Sequence, residues 1–186
     1  MPVLSTRCRA IAVALVLPFL LAPAAAAQGQ ADKDLKAISA YTFTLPKYKQ
    51  LMTAMVNLGN AAKADPKVAS ALEGSGNLSL DEMTMRLQSL APARKAIVDA
   101  GLTPREFAVA QGAWLQSGMS YGLMKQYNLT ADSVSKATGA SKANLEFFRA
   151  NEAELQRIGK AMEAQMPKDK PTDEADEASE RPDTAE

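Results

Sequence analysis

Apolar side chains recur along this chain at the three- and four-residue spacing that gives an α-helix one buried face. One run comprises Met83, Leu87 and Leu90, and a longer one extends from Phe148 to Met166. The clearest run is Tyr48, Leu51, Met52, Met55, Leu58 and Ala62. No segment alternates with the two-residue period of a half-buried strand. The pattern therefore predicts an all-α protein.

Ser or Thr residues stand where these helices should begin, and their hydroxyl groups can accept hydrogen bonds from the free amides of a first turn. They are Thr44, Ser79, Thr103, Thr130 and Ser141. Glu82 and Glu106 follow two of them by three residues, which completes a capping box. Gly101 and Gly139 are suited to close helices. These signals predict helices near 45–63, 66–73, 80–90, 92–100, 104–127, 131–138 and 142–166.

The segment 104–127 is unusual because it carries no charge between Phe107 and Met124. As a helix of about 24 residues it would span roughly 36 Å. Its apolar side chains cover nearly the whole circumference: Val109, Trp114, Leu115, Met119, Leu123 and Met124. A helix that is apolar on every side belongs in the middle of a bundle. We therefore expect a single-domain helical bundle with this helix buried at its centre.

Three glycines interrupt that helix, Gly112, Gly118 and Gly122, and each disfavours the helix by roughly 1 kcal/mol relative to alanine. One interpretation is that they let a neighbouring helix approach closely. A second is a groove for a small apolar ligand, with Trp114 and Tyr121 as its walls. A third is membrane contact, since small residues four apart also serve there, although the Gln and Ser residues of this segment make a membrane span unfavourable.

Three amide side chains fall on positions that the helical pattern places inside the bundle. Gln111 and Gln116 lie on the central helix, and Asn151 falls within the apolar stripe of the last predicted helix. Buried amides need hydrogen-bond partners. They are expected to bond to one another and so fix which helices pair, or to offer polar contacts to a ligand.

The two ends of the chain differ from its middle. Arg7 and Arg9 precede an apolar run over 10–22, and small residues at Ala25 and Ala27 form a signal-peptidase pattern. We predict a signal peptide over 1–27; an uncleaved anchor is the alternative, but the run is shorter than the roughly 20 residues of a membrane span. After the signal peptide we expect a polar lead-in (28–40), a helical domain (41–166) and a tail (167–186). The tail has eight acidic and three basic residues and no large apolar one, so we expect it to be disordered.

The composition excludes several classes of function. The chain has no histidine, and Cys8, its one cysteine, lies inside the predicted signal peptide. Zinc sites, haem and thiol chemistry and Ser-His-Asp catalysis depend on these residues. Methionine pairs such as Met52 and Met55 could suit Cu(I), but they fall on the apolar stripes. No carboxylate pair has an evident acid–base spacing, so we expect no enzyme, metal site or cofactor. The formal net charge is zero, so charge gives no argument for a nucleic-acid partner, which usually calls for a strongly basic face.

Three stretches resemble a group of exported bacterial helical proteins of unknown function: YTFTLPKY (41–48), AGLTPREFAV (100–109) and NLEFFRANEAEL (144–155). The resemblance implies an exported helical domain and passes on no catalytic residue. We therefore expect a periplasmic or secreted protein of the bacterial cell envelope that binds or interacts without catalysis. Its partner would be an envelope protein. The alternative is a carrier of a small apolar ligand, held in the groove beside the glycine-bearing helix.

Overall fold

The computed structural model describes residues 22–73 and 78–166, and side chains from residue 29 onward. Within these ranges the backbone forms helices and no strand, which confirms the prediction of an all-α, single-domain fold. The helices are α1 Ala22–Ala40, α2 Leu45–Ala64, α3 Pro66–Leu72, α4 Leu80–Ser89, α5 Ala91–Val98, α6 Pro104–Gln126, α7 Ala131–Thr138, α8 Lys142–Ala150 and α9 Glu152–Gln165. The first 21 residues of the expected signal peptide and the whole expected tail lie outside the described residues.

The helix starts follow the capping signals of the sequence. Ser79 accepts from the amide of Glu82, whose carboxylate accepts in return from the Ser79 amide at 2.8 Å. Thr103 and Glu106 form the same reciprocal pair. In each pair the hydrogen bonds from the cap residue lower the pKa of the glutamate carboxyl, because they stabilise its charged form. Ser141 differs, since its side chain makes no cap hydrogen bond.

Helix α6 occupies the centre of the arrangement and packs against α1, α2, α4, α5, α7 and α8. Its burial is nevertheless one-sided. Small side chains dominate the buried face, including Ala110, Ala113 and Ser117, whereas Leu115 and Met119 are 56% and 68% exposed. The expectation that apolar residues would be buried around the whole helix is therefore corrected. Small residues let the neighbouring helices approach closely on one side, and no described helix covers the opposite side.

The predicted polar lead-in is part of helix α1 and packs on the domain. A Cβ atom at Gly112 would lie 2.8 Å from Ile38 Cδ1, so this glycine makes room for α1 against α6. Asp34 is buried and accepts from the Leu80 amide at 2.8 Å, at the first turn of α4. Ser39 Oγ donates to the Gly139 carbonyl at 3.0 Å. The predicted polar lead-in is therefore an ordered part of the fold, because its few apolar and acidic groups contact specific partners.

The last predicted helix, 142–166, is divided into α8 and α9 at Asn151. Asn151 has φ −116° and ψ 14°, outside the helical range, and its Nδ2 donates to the Phe147 carbonyl at 2.8 Å. An asparagine side chain competes in this way with the helical backbone hydrogen bonds. The half-buried Asn151 is therefore a junction residue.

The connection between α1 and α2 is held by a different amide, that of Asn144 on α8. Asn144 is 1% exposed. Its Oδ1 accepts from the Phe43 amide at 2.9 Å, and its Nδ2 donates to the Tyr41 carbonyl at 2.8 Å. Residues 41–44 belong to no helix, so their backbone groups lack helical partners, and the Asn144 side chain supplies both a donor and an acceptor.

Aromatic rings surround this clamp. The ring of Phe43 lies 5.0 Å from that of Tyr41, 6.0 Å from Phe147 and 6.2 Å from Phe148, measured between centroids. Tyr48 adds an edge-on contact to Phe43 at 6.1 Å. Aromatic pairs at these separations contribute about 0.5–1.5 kcal/mol each beyond the area they bury. Residues from 41–48 and from α8 therefore form one shared cluster.

Replacement of Asn144 by alanine should lower the free energy of unfolding by about 2 kcal/mol or more, because it leaves the buried Phe43 amide without an acceptor. The measurement is urea unfolding followed by far-UV circular dichroism. Asn151→Ala is the matched control; it removes a bond within one helix end and should cost less than about 1 kcal/mol. Equal losses for the two variants would contradict the assigned role of Asn144.

Candidate functional site

One shallow cleft beside α6 corresponds in part to the predicted ligand groove. Two of its five predicted residues, Gly118 and Tyr121, line this cleft of about 250 Å³. The remaining lining residues are Tyr48, Phe148, Glu152, Leu155 and Gln156. The floor is aromatic and largely buried, and the cleft opens to solvent on one side.

The other three predicted groove residues lie elsewhere. Gly112 sits against Ile38 of α1, and Trp114 is half-buried against the main core. Gly122 is exposed, and a Cβ atom built there would meet no atom within 4 Å. The structure therefore does not bring the five residues into one groove, because positions 112, 118 and 122 face different surroundings along α6.

A tyrosine, a lysine and a glutamate form the polar edge of the cleft. Tyr121 Oη donates to Glu152 Oε2 at 2.9 Å, and the Lys125 ammonium donates to Glu152 Oε1. These bonds, the one from Lys125 first, lower the pKa of Glu152. Burial, followed by the hydrogen bond to Glu152, raises the pKa of Tyr121 to about 12. The carboxylate is thus ionised and held between two donors, an arrangement that fixes α6 to the start of α9.

A second shallow cleft of about 260 Å³ lies between α2 and α9. Met52 and Met162 are part of its apolar lining. On its rim, Arg157 donates two hydrogen bonds to Glu154, at 2.7 and 2.8 Å, and Lys49 Nζ lies 3.5 Å from the same carboxylate. The bonds from Arg157 lower the pKa of Glu154 to about 2. Both cationic groups on this rim are thus engaged by one carboxylate.

The predicted cluster of buried amides does not form. Gln111, Gln116 and Asn151 are half-buried, and none of the hydrogen bonds among the described residues joins them. The Gln111 Oε1 atom is buried and has no hydrogen-bond partner there. The amide that does connect distant segments is Asn144, which the sequence analysis missed. A helical wheel over 142–150 would have placed it beside Leu145 and Phe148, on the buried face of α8.

The largest departure from the predicted burial is a row of exposed apolar side chains, here called the α6 ridge. It consists of Leu115, Met119, Leu123 and Tyr127, spaced by four residues and 56%, 68%, 42% and 62% exposed. At roughly 200 Å² for each large side chain, the ridge presents on the order of 450 Å² of surface. A patch of that size lies within the range of about 300–600 Å² found for the largest apolar patch of monomeric proteins, which is often functional.

Within residues 22–73 and 78–166, no group of three or more acidic, cysteine or histidine residues is arranged to hold a metal ion. No helix in these ranges combines the length and the apolar character needed to cross a membrane. The sequence matches no protein-family model, and comparison with curated proteins and with solved structures finds no significant similarity.

The burial of Tyr121, followed by its bond to Glu152, should make stability depend on alkaline pH. Because the pKa of Tyr121 is about 12 in the folded protein against 10.0 in the unfolded chain, its contribution is complete below pH 10 and is lost as the pH rises through 12. Absorbance titration of tyrosinate should show a group near pH 12 that belongs to Tyr121. Burial also raises the pKa of Tyr41 and of Tyr48, so the group is assigned by substitution. Glu152→Gln should bring that titration closer to pH 10, and Tyr121→Phe should remove it. A single titration near pH 10 for all the tyrosines would contradict the assignment.

Proposed function

We propose that this chain is a non-enzymatic binding protein of the bacterial cell envelope and that it contacts its partner through the α6 ridge. The observation that carries the proposal is the exposure of Leu115, Met119 and Leu123 on the helix that organises the bundle. Apolar side chains at these positions are not needed for the close packing of α6, which uses its small residues.

The size of the ridge supports an interaction of moderate strength. Removing about 450 Å² of apolar surface from water contributes about 11 kcal/mol at 25 cal/mol per Å². Association costs about 4–15 kcal/mol in lost freedom of motion. The ridge alone is therefore marginal, and contacts at its margin must decide the affinity. This favours a reversible interaction over permanent assembly.

A role without catalysis is supported by how the acidic groups of the two clefts are used. Glu152 is held by Tyr121 and Lys125, and Glu154 by Arg157 and Lys49. Each carboxylate has a lowered pKa, which makes it a poor proton donor or acceptor near neutral pH. The chain also has no histidine to take that role.

The carrier alternative is favoured by the cleft beside Gly118 and Tyr121, with Tyr48 and Phe148 as apolar walls. Its volume of about 250 Å³ is just below the range of about 300–1,000 Å³ in which small-molecule sites fall. It also lacks the enclosure that would bury most of a ligand. The ridge is therefore the better supported site.

Export is the second part of the proposal and has a direct test. The expressed product recovered from the periplasm or medium should have an intact mass that begins at Gln28. The described bonds that attach α1 to other helices involve Gln30, Asp34 and Ser39, all beyond Ala27, so they persist after cleavage. Product that retains residues 1–27, or that stays in the cytoplasm, would contradict the proposal.

The interaction surface can be mapped by photo-crosslinking in the producing cell. A photo-reactive phenylalanine analogue in place of Met119 should give a discrete adduct on illumination. Met85 is the matched control, since it is also an exposed methionine (61%) but lies on α4 and not on α6. Failure to obtain an adduct specific to position 119 would contradict the proposed function.

A further inference from the structure

We infer that Met119 is a reversible oxidation site, at which a peroxide converts the centre of the α6 ridge from an apolar into a polar surface. The inference rests on the proposed function for its consequence, since it names a way in which binding through that ridge is regulated. The modification itself requires no assumption about which partner covers the ridge. Three observations carry it: the exposure of the Met119 side chain, the absence of competing thiols and the apolar neighbours of Met119.

The methionines of the described chain differ widely in their access to solvent. Most of them lie in the core or pack against it: Met52, Met55, Met83, Met124 and Met162. Met85 and Met119 are 61% and 68% exposed, and Met166, at the end of α9, is 37% exposed. A dissolved oxidant must reach the sulfur atom, so the rate of oxidation follows exposure. Met119 and Met85 are therefore expected to react first.

No thiol of the folded domain competes for the oxidant. The one cysteine of the chain is Cys8, which lies in the predicted signal peptide and outside the described residues. A thioether sulfur is soft and polarizable. In a domain without thiolate groups, the exposed thioethers are therefore the side chains that a peroxide oxidises most readily.

The reaction is the transfer of one oxygen atom. The thioether sulfur of Met119 supplies an electron pair to one oxygen of hydrogen peroxide, an S–O bond forms, and the O–O bond breaks. The sulfur is oxidised to the sulfoxide, and the other oxygen leaves with both protons as water. Methionine sulfoxide reductases remove the added oxygen as water, with two electrons from a pair of thiols that become a disulfide. Because reduction regenerates the original side chain, the modification is reversible.

The neighbours of Met119 give its oxidation a consequence. Leu115 and Leu123 lie four residues to either side of it, about one helical turn away on the same face. A sulfoxide between them places a hydrogen-bond acceptor in the middle of an apolar surface. When a partner covers that surface, the acceptor loses its bound water, which is unfavourable unless the partner supplies a donor. Oxidation is therefore expected to weaken contact through the ridge.

Met85 is a matched comparison, because its exposure is similar but its surroundings are polar. The residues about one turn away from it on α4 are Asp81, Glu82, Gln88 and Ser89. A sulfoxide at Met85 joins groups that are already hydrated, and it interrupts no row of apolar side chains. Oxidation of Met85 should therefore proceed at a rate similar to that of Met119 but leave the apolar surface of the domain almost unchanged.

The first experiment measures the rate of oxidation at each methionine. The expressed full-chain product, in a Cys8→Ser background, is treated with hydrogen peroxide and sampled over time for peptide mass spectrometry. Met119 and Met85 should gain one oxygen atom about tenfold faster than the buried Met52, whose sulfur is reached only when the core opens. Equal rates at Met119 and Met52 overturn the inference.

The second experiment measures the apolar surface and needs no partner. Retention on a hydrophobic-interaction column should fall after peroxide treatment and recover after incubation with the two methionine sulfoxide reductases, one for each sulfoxide epimer. Met119→Leu has an apolar side chain that peroxide does not oxidise, so this variant should lose most of the shift in retention. Met85→Leu should keep the shift, and far-UV circular dichroism confirms that both variants are folded. A shift that persists in Met119→Leu, or that the reductases do not reverse, overturns the inference.

The third experiment links the modification to binding. A photo-reactive phenylalanine analogue in place of Leu115 leaves Met119 intact, and producing cells are illuminated with and without prior exposure to hydrogen peroxide. Peroxide should lower the yield of adduct about tenfold, as expected when one acceptor is buried without a donor. In Met119→Leu, peroxide should no longer change the yield. An equal loss of adduct in Met119→Leu would come from another oxidised group and overturns the inference.

The outcomes separate this inference from the proposed function. An adduct from position 115 that oxidation of Met119 leaves unchanged supports the proposed function and overturns its regulation by oxidation. The absence of any adduct from positions 115 and 119 in untreated cells contradicts the proposed function. The oxidation site is then decided by the reaction rates and the column retention, neither of which involves a partner.

Discussion

The two hydrogen bonds of the Asn144 amide are the constraint on which the arrangement of this protein depends. They join α8 to the connection between α1 and α2, about a hundred residues earlier in the chain, at Tyr41 and Phe43. A buried amide is favourable only when its donor and its acceptor both have hydrogen-bond partners. The two bonds therefore fix one position of the 41–43 segment relative to α8. The aromatic cluster then closes around that position, and the position of α1 before the clamp sets where Ile38 meets α6.

The glycines of α6 show how one residue type serves different needs within a single helix. At Gly112 the missing side chain admits Ile38. At Gly118 a Cβ atom would be in ordinary contact with Phe148, at 3.9 Å, so the glycine leaves the edge of the cleft open without being required there. At Gly122 nothing within the described chain uses the space. The unfavourable helix propensity of glycine is thus offset by packing at Gly112. At Gly122 no contact within the described chain offsets it.

Local chemistry made the helices predictable. Thr44, Ser79, Thr103 and Thr130 cap helices that begin within a residue of the predicted starts, because capping involves atoms only two or three residues apart. Burial was less predictable. Periodicity identified the apolar positions of α6 but not which of them a neighbour would cover, and Leu115 and Met119 were expected inside. Asn144 and Asn151 were indistinguishable by residue type; only the fold decides which amide meets a distant backbone.

The exposed residues of the α6 ridge differ from the buried core residues in what they contribute to folding. The core of this domain is completed by Phe107, Leu51, Leu87 and Ile97, which are almost wholly buried, and α6 contributes mainly small side chains to its contacts with neighbouring helices. Leu115, Met119 and Leu123 stay 56%, 68% and 42% exposed within the chain. Their apolar character therefore adds less to the folding free energy than that of the fully buried core residues, while exposed apolar surface favours association. A folding requirement does not account for the exposed part of these side chains, whereas the contact proposed through the α6 ridge would.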